Sequence, residues 1–253
     1  MLMAFTGSVA CAQVKFKVGD EFQRKVLTRS NCVLQRGSQT LHVTSFSEVE
    51  KTYRVADASD RGATLTITTT KLNDTINTMD QRLIYNYGKP ADPNSPIQID
   101  LKRMANAQPT VSVDKKGQIL SARQPSTVND TLLSFAGIQP DNLSAGSTLQ
   151  FMVSFKIDPT LKPGYSWAQN SATTQITYTI YSINARTTVI TYKASILGGN
   201  LNSRINGSLL ISNDTGIILK RASQSVSTGY EMVNGIVYTA TRRTAATEVN
   251  GKK

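Results

Sequence analysis

Apolar and polar residues alternate with a period of two along most of the chain, in stretches rich in Thr, Val, Ile and Tyr. This is the pattern of strands buried on one face. It runs through 14–28, 40–55, 63–70, 174–183, 187–196, 209–219 and 236–242. Its most regular instance is 149–157, where Leu149, Phe151, Val153, Phe155 and Ile157 share one face, and Gln150, Met152, Ser154 and Lys156 the other. Turn chemistry separates the stretches: Asp60-Arg61-Gly62, Lys115-Lys116-Gly117, Asn184-Ala185, Asn206-Gly207, Asn213-Asp214-Thr215-Gly216 and Asn234-Gly235. Connections this short join antiparallel neighbours. The expected fold is therefore all-β, an antiparallel meander of about ten to twelve strands forming a closed or half-open barrel.

One short helix is expected at 127–137. Thr127 is placed to cap it, Asp130 follows in capping-box position, Val128, Leu132 and Phe135 share a face, and Gly137 ends it. Residues 97–105 fit either element, since Ile97, Ile99 and Leu101 alternate like a strand while Leu101 and Met104 fit a helical turn. The Pro-rich segments 89–96 and 158–164 read as loops.

The two halves of the chain resemble each other. Val18–Val26 aligns with Ala145–Val153, the stretch from Val49 with that from Thr174 (Tyr53 opposite Tyr178), and Thr110–Leu120 with Ser208–Leu219 (Gly117 opposite Gly216). The drop in offset places an insertion of about 26 residues in the first half, within 71–109. The organisation expected is one domain over 14–253, built from pseudo-repeats 14–125 and 143–250 with the helix at 127–137 as bridge.

Composition narrows the function. The 253 residues hold 39% hydrophobic and 18% charged residues, enough apolar side chains for a core, with no stretch long enough for a transmembrane helix. The net charge of +11 is spread evenly, with 17 basic and 11 acidic groups in 1–125 and 11 and 6 in 126–253. The local clusters are pairs such as Lys102-Arg103 and Arg242-Arg243, without interleaved aromatic residues, which argues against nucleic acid as partner. An anionic component of a cell envelope fits such a field better.

The first 13 residues are apolar and small, with no charge before Lys15, and resemble the end of a secretory signal peptide. Three fates follow for them. Cleavage after Ala12 or Gln13 makes 1–13 a signal remnant. Alternatively Ser8-Val9-Ala10-Cys11 resembles a degenerate bacterial lipobox, with Cys11 as the lipidated residue, or the segment is a buried strand. The first two place the protein outside the cytoplasm, secreted, periplasmic or at the outer membrane.

The opening Phe16-Lys17-Val18-Gly19-Asp20-Glu21-Phe22 and the turn Asp114-Lys115-Lys116-Gly117-Gln118-Ile119 resemble the signatures of an uncharacterised family of secreted Bacteroidota proteins with paired β-meanders. The resemblance covers nearly the whole chain after 13 and implies a secreted β-protein, with no activity to carry over. By architecture alone, the expected sheet is similar to the curved sheets of lipoprotein carriers, which hold acyl chains. In the context of that resemblance, Asp74-Thr75-Ile76 and Asp130-Thr131-Leu132 resemble an envelope O-glycosylation sequon, making Thr75, in an expected loop, and Thr131 acceptor candidates.

Catalytic chemistry is scarce. His42 is the only histidine, and alternation puts it with Thr44, Phe46, Glu48 and Glu50 on an open strand face, so neither a catalytic dyad nor a metal site is expected. Cys32 reads as a buried, inert thiol. Glu48 and Glu50 lie about 7 Å apart on one strand face, as ordinary solvated carboxylates do. No enzyme activity, metal or cofactor is expected. The expectation is instead a binding protein for an apolar molecule such as a lipid, held within a curved sheet by Phe151, Val153, Phe155, Tyr178, Tyr165 and Trp167. The alternative is a structural or interaction module whose side chains fill its own core.

Overall fold

The computed structural model describes residues 14–253 except 79–80, 124–132, 134–135, 139–140, 156, 159 and 234. Strands take up 65% of it, which makes the protein all-β. In chain order they are β1 (Glu21–Arg36), β2 (Gln39–Ser59), β3 (Gly62–Thr78), β4 (Gln81–Asn86), the helix α1 (Pro96–Asn106), β5 (Thr110–Asp114), β6 (Ile119–Arg123), β7 (Ser166–Asn170), β8 (Thr174–Ile183), β9 (Thr187–Ile196), β10 (Leu201–Ser212), β11 (Ile218–Val233) and β12 (Ile236–Lys252).

All twelve strands belong to one antiparallel sheet, in the order β6-β5-β3-β2-β1-β12-β11-β10-β9-β8-β7, with β4 pairing the far part of β3. The first and last strands meet at the centre, from Phe22↔Lys252 to Gln35↔Thr239. The chain thus runs outward from the centre to β6, crosses to the opposite edge at β7, and returns. Hydrogen bonds do not close the sheet, so the barrel is half-open.

One face carries the core, in three clusters. Phe22, Tyr53, Leu65, Val111 and Phe151 form one, Leu34, Leu72, Leu101, Met104 and Leu133 a second, and Tyr178, Ile190, Leu209 and Ile211 a third. Each fully buried Leu, Ile or Phe contributes about 1.5–3 kcal/mol relative to leaving it exposed. The other, outer face is mostly polar, as β2 shows with Thr40, His42, Thr44, Glu48, Glu50, Thr52 and Arg54.

Several expectations change here. Residues 149–157 are not a strand. Gln150 and Phe151 form a turn, isolated bridges stand at Thr148 and Met152, and Leu149, Phe151 and Met152 are all buried. The alternation there serves a segment that crosses the inner face and fills it, with no ladder partner among its described residues. The ambiguous stretch 97–105 is helix α1, because the Ser95 hydroxyl accepts from the Gln98 N–H and Pro96 begins the helix without needing a donor.

The expected helix at 127–137 lies mainly outside the described residues. Its described end has the geometry of a helix terminus: Gly137 has φ +71° and the Ile138 N–H donates to the Leu133 carbonyl at 3.0 Å.

Asn206-Gly207 is not a turn but the middle of β10. A Cβ on Gly207 would lie 2.5 Å from the Tyr192 ring, so glycine is there to let the ring cover the backbone. Thr75 sits inside β3 between Phe46 of β2 and Ile84 of β4, rather than in a loop.

Candidate ligand cavity

Two transverse rows of small residues cross the inner face. Ser47, Thr28, Ala246, Ser223 and Gly207 stand in register from β2 to β10 and lead to Tyr192 of β9. The neighbouring row is Ser45, Ser30, Thr244, Ser225 and Ile205. Small side chains in consecutive strands leave a trough that large residues would fill.

The turn at Gly137 occupies the β1–β2 part of this trough. A Cβ there would lie 2.7 Å from the Ser45 hydroxyl oxygen and 3.4 Å from the Ser30 Cβ, so the backbone itself rests on these serines. The remainder is a cavity of about 180 Å³, walled by Val26, Val49, Ile138, Ile205 and Tyr192 as well as by the hydroxyls of Thr28, Ser47, Ser223, Ser225 and Thr244.

One end of the cavity is charged. Arg24 reaches Asp141 at 2.9 Å and Glu248 at 3.1 Å, Lys51 reaches Asp141 at 2.6 Å, and Arg221 reaches Glu248 at 3.4 Å. Arg221 also donates to the Gln150 carbonyl at 2.9 Å, and Asn250 donates to Glu248 at 2.8 Å. Three cations thus surround two carboxylates, and the Arg24 Nε–H has no acceptor among the described residues. Burial by itself would raise the Asp141 carboxyl, but Lys51 and Arg24 outweigh it and hold the group below the usual carboxylate range. Burial likewise opposes ionisation of Arg24, yet the carboxylates of Asp141 and Glu248 keep it more firmly protonated than usual. Burial pushes the Tyr53 hydroxyl up, so it stays neutral.

The six aromatic and aliphatic residues expected at a ligand site lie elsewhere. Phe151 is fully buried, with its ring 5.2 Å from Phe22 and 5.0 Å from Tyr53. Phe155, Trp167, Tyr178 and Tyr165 form a separate aromatic cluster, with Trp167 stacked on Tyr178 at 5.2 Å and Phe155 edge-on to Trp167 at 5.1 Å. Val153 packs against the same cluster. None of the six lines the cavity. The cluster reaches it through Tyr192, 6.2 Å from Tyr178. Cys11 and Thr131 lie outside the described residues.

The sequence reading missed Arg24, Arg221, Glu248 and the hydroxyl rows. The one signal was the run Ser223-Gln224-Ser225-Val226-Ser227 in β11, where neither alternate set is large and apolar.

The residues weighed for catalysis stand apart. His42 is exposed on the outer face. Glu48 contacts Lys25 at 2.5 Å and Lys71 at 2.8 Å, and Glu50 contacts Lys25 at 3.1 Å, so both are ordinary ion-pair partners. Hydrogen bonds from Lys25 and Lys71 lower the Glu48 carboxyl, the opposite of what a general acid needs. Cys32 is buried, and burial raises its thiol. Among the described residues, no group of three His, Cys, Asp or Glu side chains is arranged to hold a metal, and no helix is long and apolar enough to cross a membrane.

No family model and no curated protein matches this chain. Among solved structures, it is similar to a chain described as showing lipid–protein interactions in lipovitellin, at 12% identity and a TM-score of 0.56, covering 94% of this chain and 26% of that one. The chain thus spans about a quarter of that relative's length. Two weaker matches are Pseudomonas aeruginosa OpdQ, at 7% identity and TM-score 0.24 over 94% of this chain and 100% of that one, and an outer membrane channel of Pseudomonas putida F1, at 8% and 0.22 over 95% and 98%. Scores that low carry no argument. The lipovitellin likeness shows a shared fold, a large antiparallel sheet.

Proposed function

We propose that this chain is a non-enzymatic binding protein of the cell envelope that holds a lipid-like amphipathic molecule against the inner face of its sheet. The cavity between the hydroxyl rows and the Gly137 turn carries the reading: native interiors are close-packed, and a trough left open beside three cations that share two carboxylates is a place for a ligand. Its aliphatic wall suits a chain, and its Arg24 and Arg221 end suits a polar or anionic head. At about 180 Å³ it takes part of such a molecule, the rest projecting through the open side. The described lipid interactions of lipovitellin, whose chain shares the fold, support the same class of cargo. The signal-like N-terminus and the family resemblance support an envelope location.

Native and denaturing mass spectrometry of protein purified from a secreting bacterial host tests this. The expected result is a native mass above the denatured one by a discrete small-molecule increment. Equal masses would overturn it in favour of an interaction module with a self-filled core.

A further inference from the structure

One group of exposed apolar side chains lies at the end of the sheet where β9 is linked to β10 and β11 to β12. Tyr230, Met232 and Val237 on the β11–β12 hairpin, together with Leu197 in the β9–β10 link, are 52–60% exposed, and Ile236 is partly so. They form one patch. Met232 is in register with Val237, and the Tyr230 N–H donates to the Asn200 carbonyl at 2.8 Å, which ties the two links together.

Charge distinguishes this end from the other. Arg36 stands at the β1–β2 tip, where Gln35 pairs with Thr239 of the same hairpin. Arg204 and Arg243 flank Val226 in one transverse row, about 13 Å behind Tyr230. These three arginines are exposed and form no ion pair among the described residues. The described carboxylates on the tip-ward halves of the strands, Asp74 and Glu231, are both buried, and Glu231 is bound to Arg242. Glu21, Glu48, Glu50, Asp57 and Asp114 all lie toward the opposite end.

An apolar tip with unpaired cations beside and behind it, and no exposed carboxylate on the described strand residues of that end, is complementary to an anionic bilayer: the side chains enter the headgroup region while the arginines meet phosphates. We propose that the β11–β12 hairpin tip, with Leu197 and Arg36, docks the protein on an anionic lipid surface. This surface is separate from the cavity, and its test reads vesicles rather than cargo.

Co-sedimentation with vesicles of equal phosphatidylglycerol and phosphatidylcholine tests it against pure phosphatidylcholine. The full chain should sediment with the anionic vesicles, less with the neutral ones, and less at high salt. Met232→Asp with Val237→Asp should weaken binding at least tenfold, and Arg36→Gln and Arg243→Gln about fivefold each. All four positions are exposed, and an unchanged thermal transition verifies that each variant folds. Failure of the full chain to sediment with anionic vesicles would overturn the proposal. So would binding that the double aspartate variant leaves intact, since the tip would then take no part.

Discussion

Asp74 shows how one side chain sets a pH dependence. It lies on the core face of β3, 2% exposed, and its Oδ1 has no hydrogen-bond partner among the described residues. Burial pushes its carboxyl up to about 8. In the unfolded chain the group titrates near 4, so between about pH 4 and 8 the unfolded state gives up a proton that the folded state keeps. Stability contributed by this residue therefore falls as pH rises through that window and levels off above it. Asp74→Asn has the same shape and no proton to lose. Its urea midpoint should match the wild type at pH 4 and exceed it at pH 8, by on the order of 2–4 kcal/mol in unfolding free energy. Parallel pH profiles for the two proteins would refute the assignment. The residue was invisible in the sequence as a buried acid, because Asp74-Thr75-Ile76 reads as a polar loop until β4 is seen to cover that part of β3.

The elements that were legible are those with a partner on each side. Expected strands 174–183 and 187–196 coincide with β8 and β9, because alternation there reports a real ladder with one buried face. Residues 149–157 alternate more regularly still, yet the chain uses them to cross the sheet, a role that depends on where β6 and β7 lie and so on nothing local. The cavity was illegible for a related reason: Ser30, Ser47, Ser223 and Thr244 look like surface residues one at a time, and become a trough only when five strands bring them side by side.

The crossing segment is held down by Asp141, which binds Arg24 and Lys51 and accepts from Tyr53 at 3.5 Å. Asp141→Asn would leave both cations buried against one remaining carboxylate, at a cost of about 3–5 kcal/mol. Loss of amide-exchange protection should concentrate near Leu133, Gly137 and Ile138. Because this carboxyl sits below its ordinary range, it stabilises above about pH 4, and its contribution is lost as the solution is acidified further. The wild type in acid should therefore come to resemble the variant.

Charge that is even along the chain is uneven in space, because antiparallel strands return every second link to the same end of the sheet. The same path makes the last strand the keystone of the whole molecule. β12 lies between β1 and β11, with fourteen register pairs to each. It also supplies Glu248 and Asn250 to the charged end of the cavity and Ala240 and Tyr238 to the core. Without it, β1 and β11 become edges of 16 residues each, and two half-sheets remain with nothing joining them but the crossing segment. Long unpaired edges template association between chains, whereas the natural edges β6 and β7 are only five residues long. A chain ending at Gly235 should therefore show no cooperative thermal transition and should aggregate. One ending at Gly251 loses little more than the Lys252–Asp20 ion pair at 2.7 Å and should unfold within a few degrees of the intact protein. A cooperative transition in the chain ending at Gly235 would mean that the halves fold independently. The sheet would then be two domains placed edge to edge, and the trough, which spans β2 to β10, would be an interface between them instead of the interior of one fold.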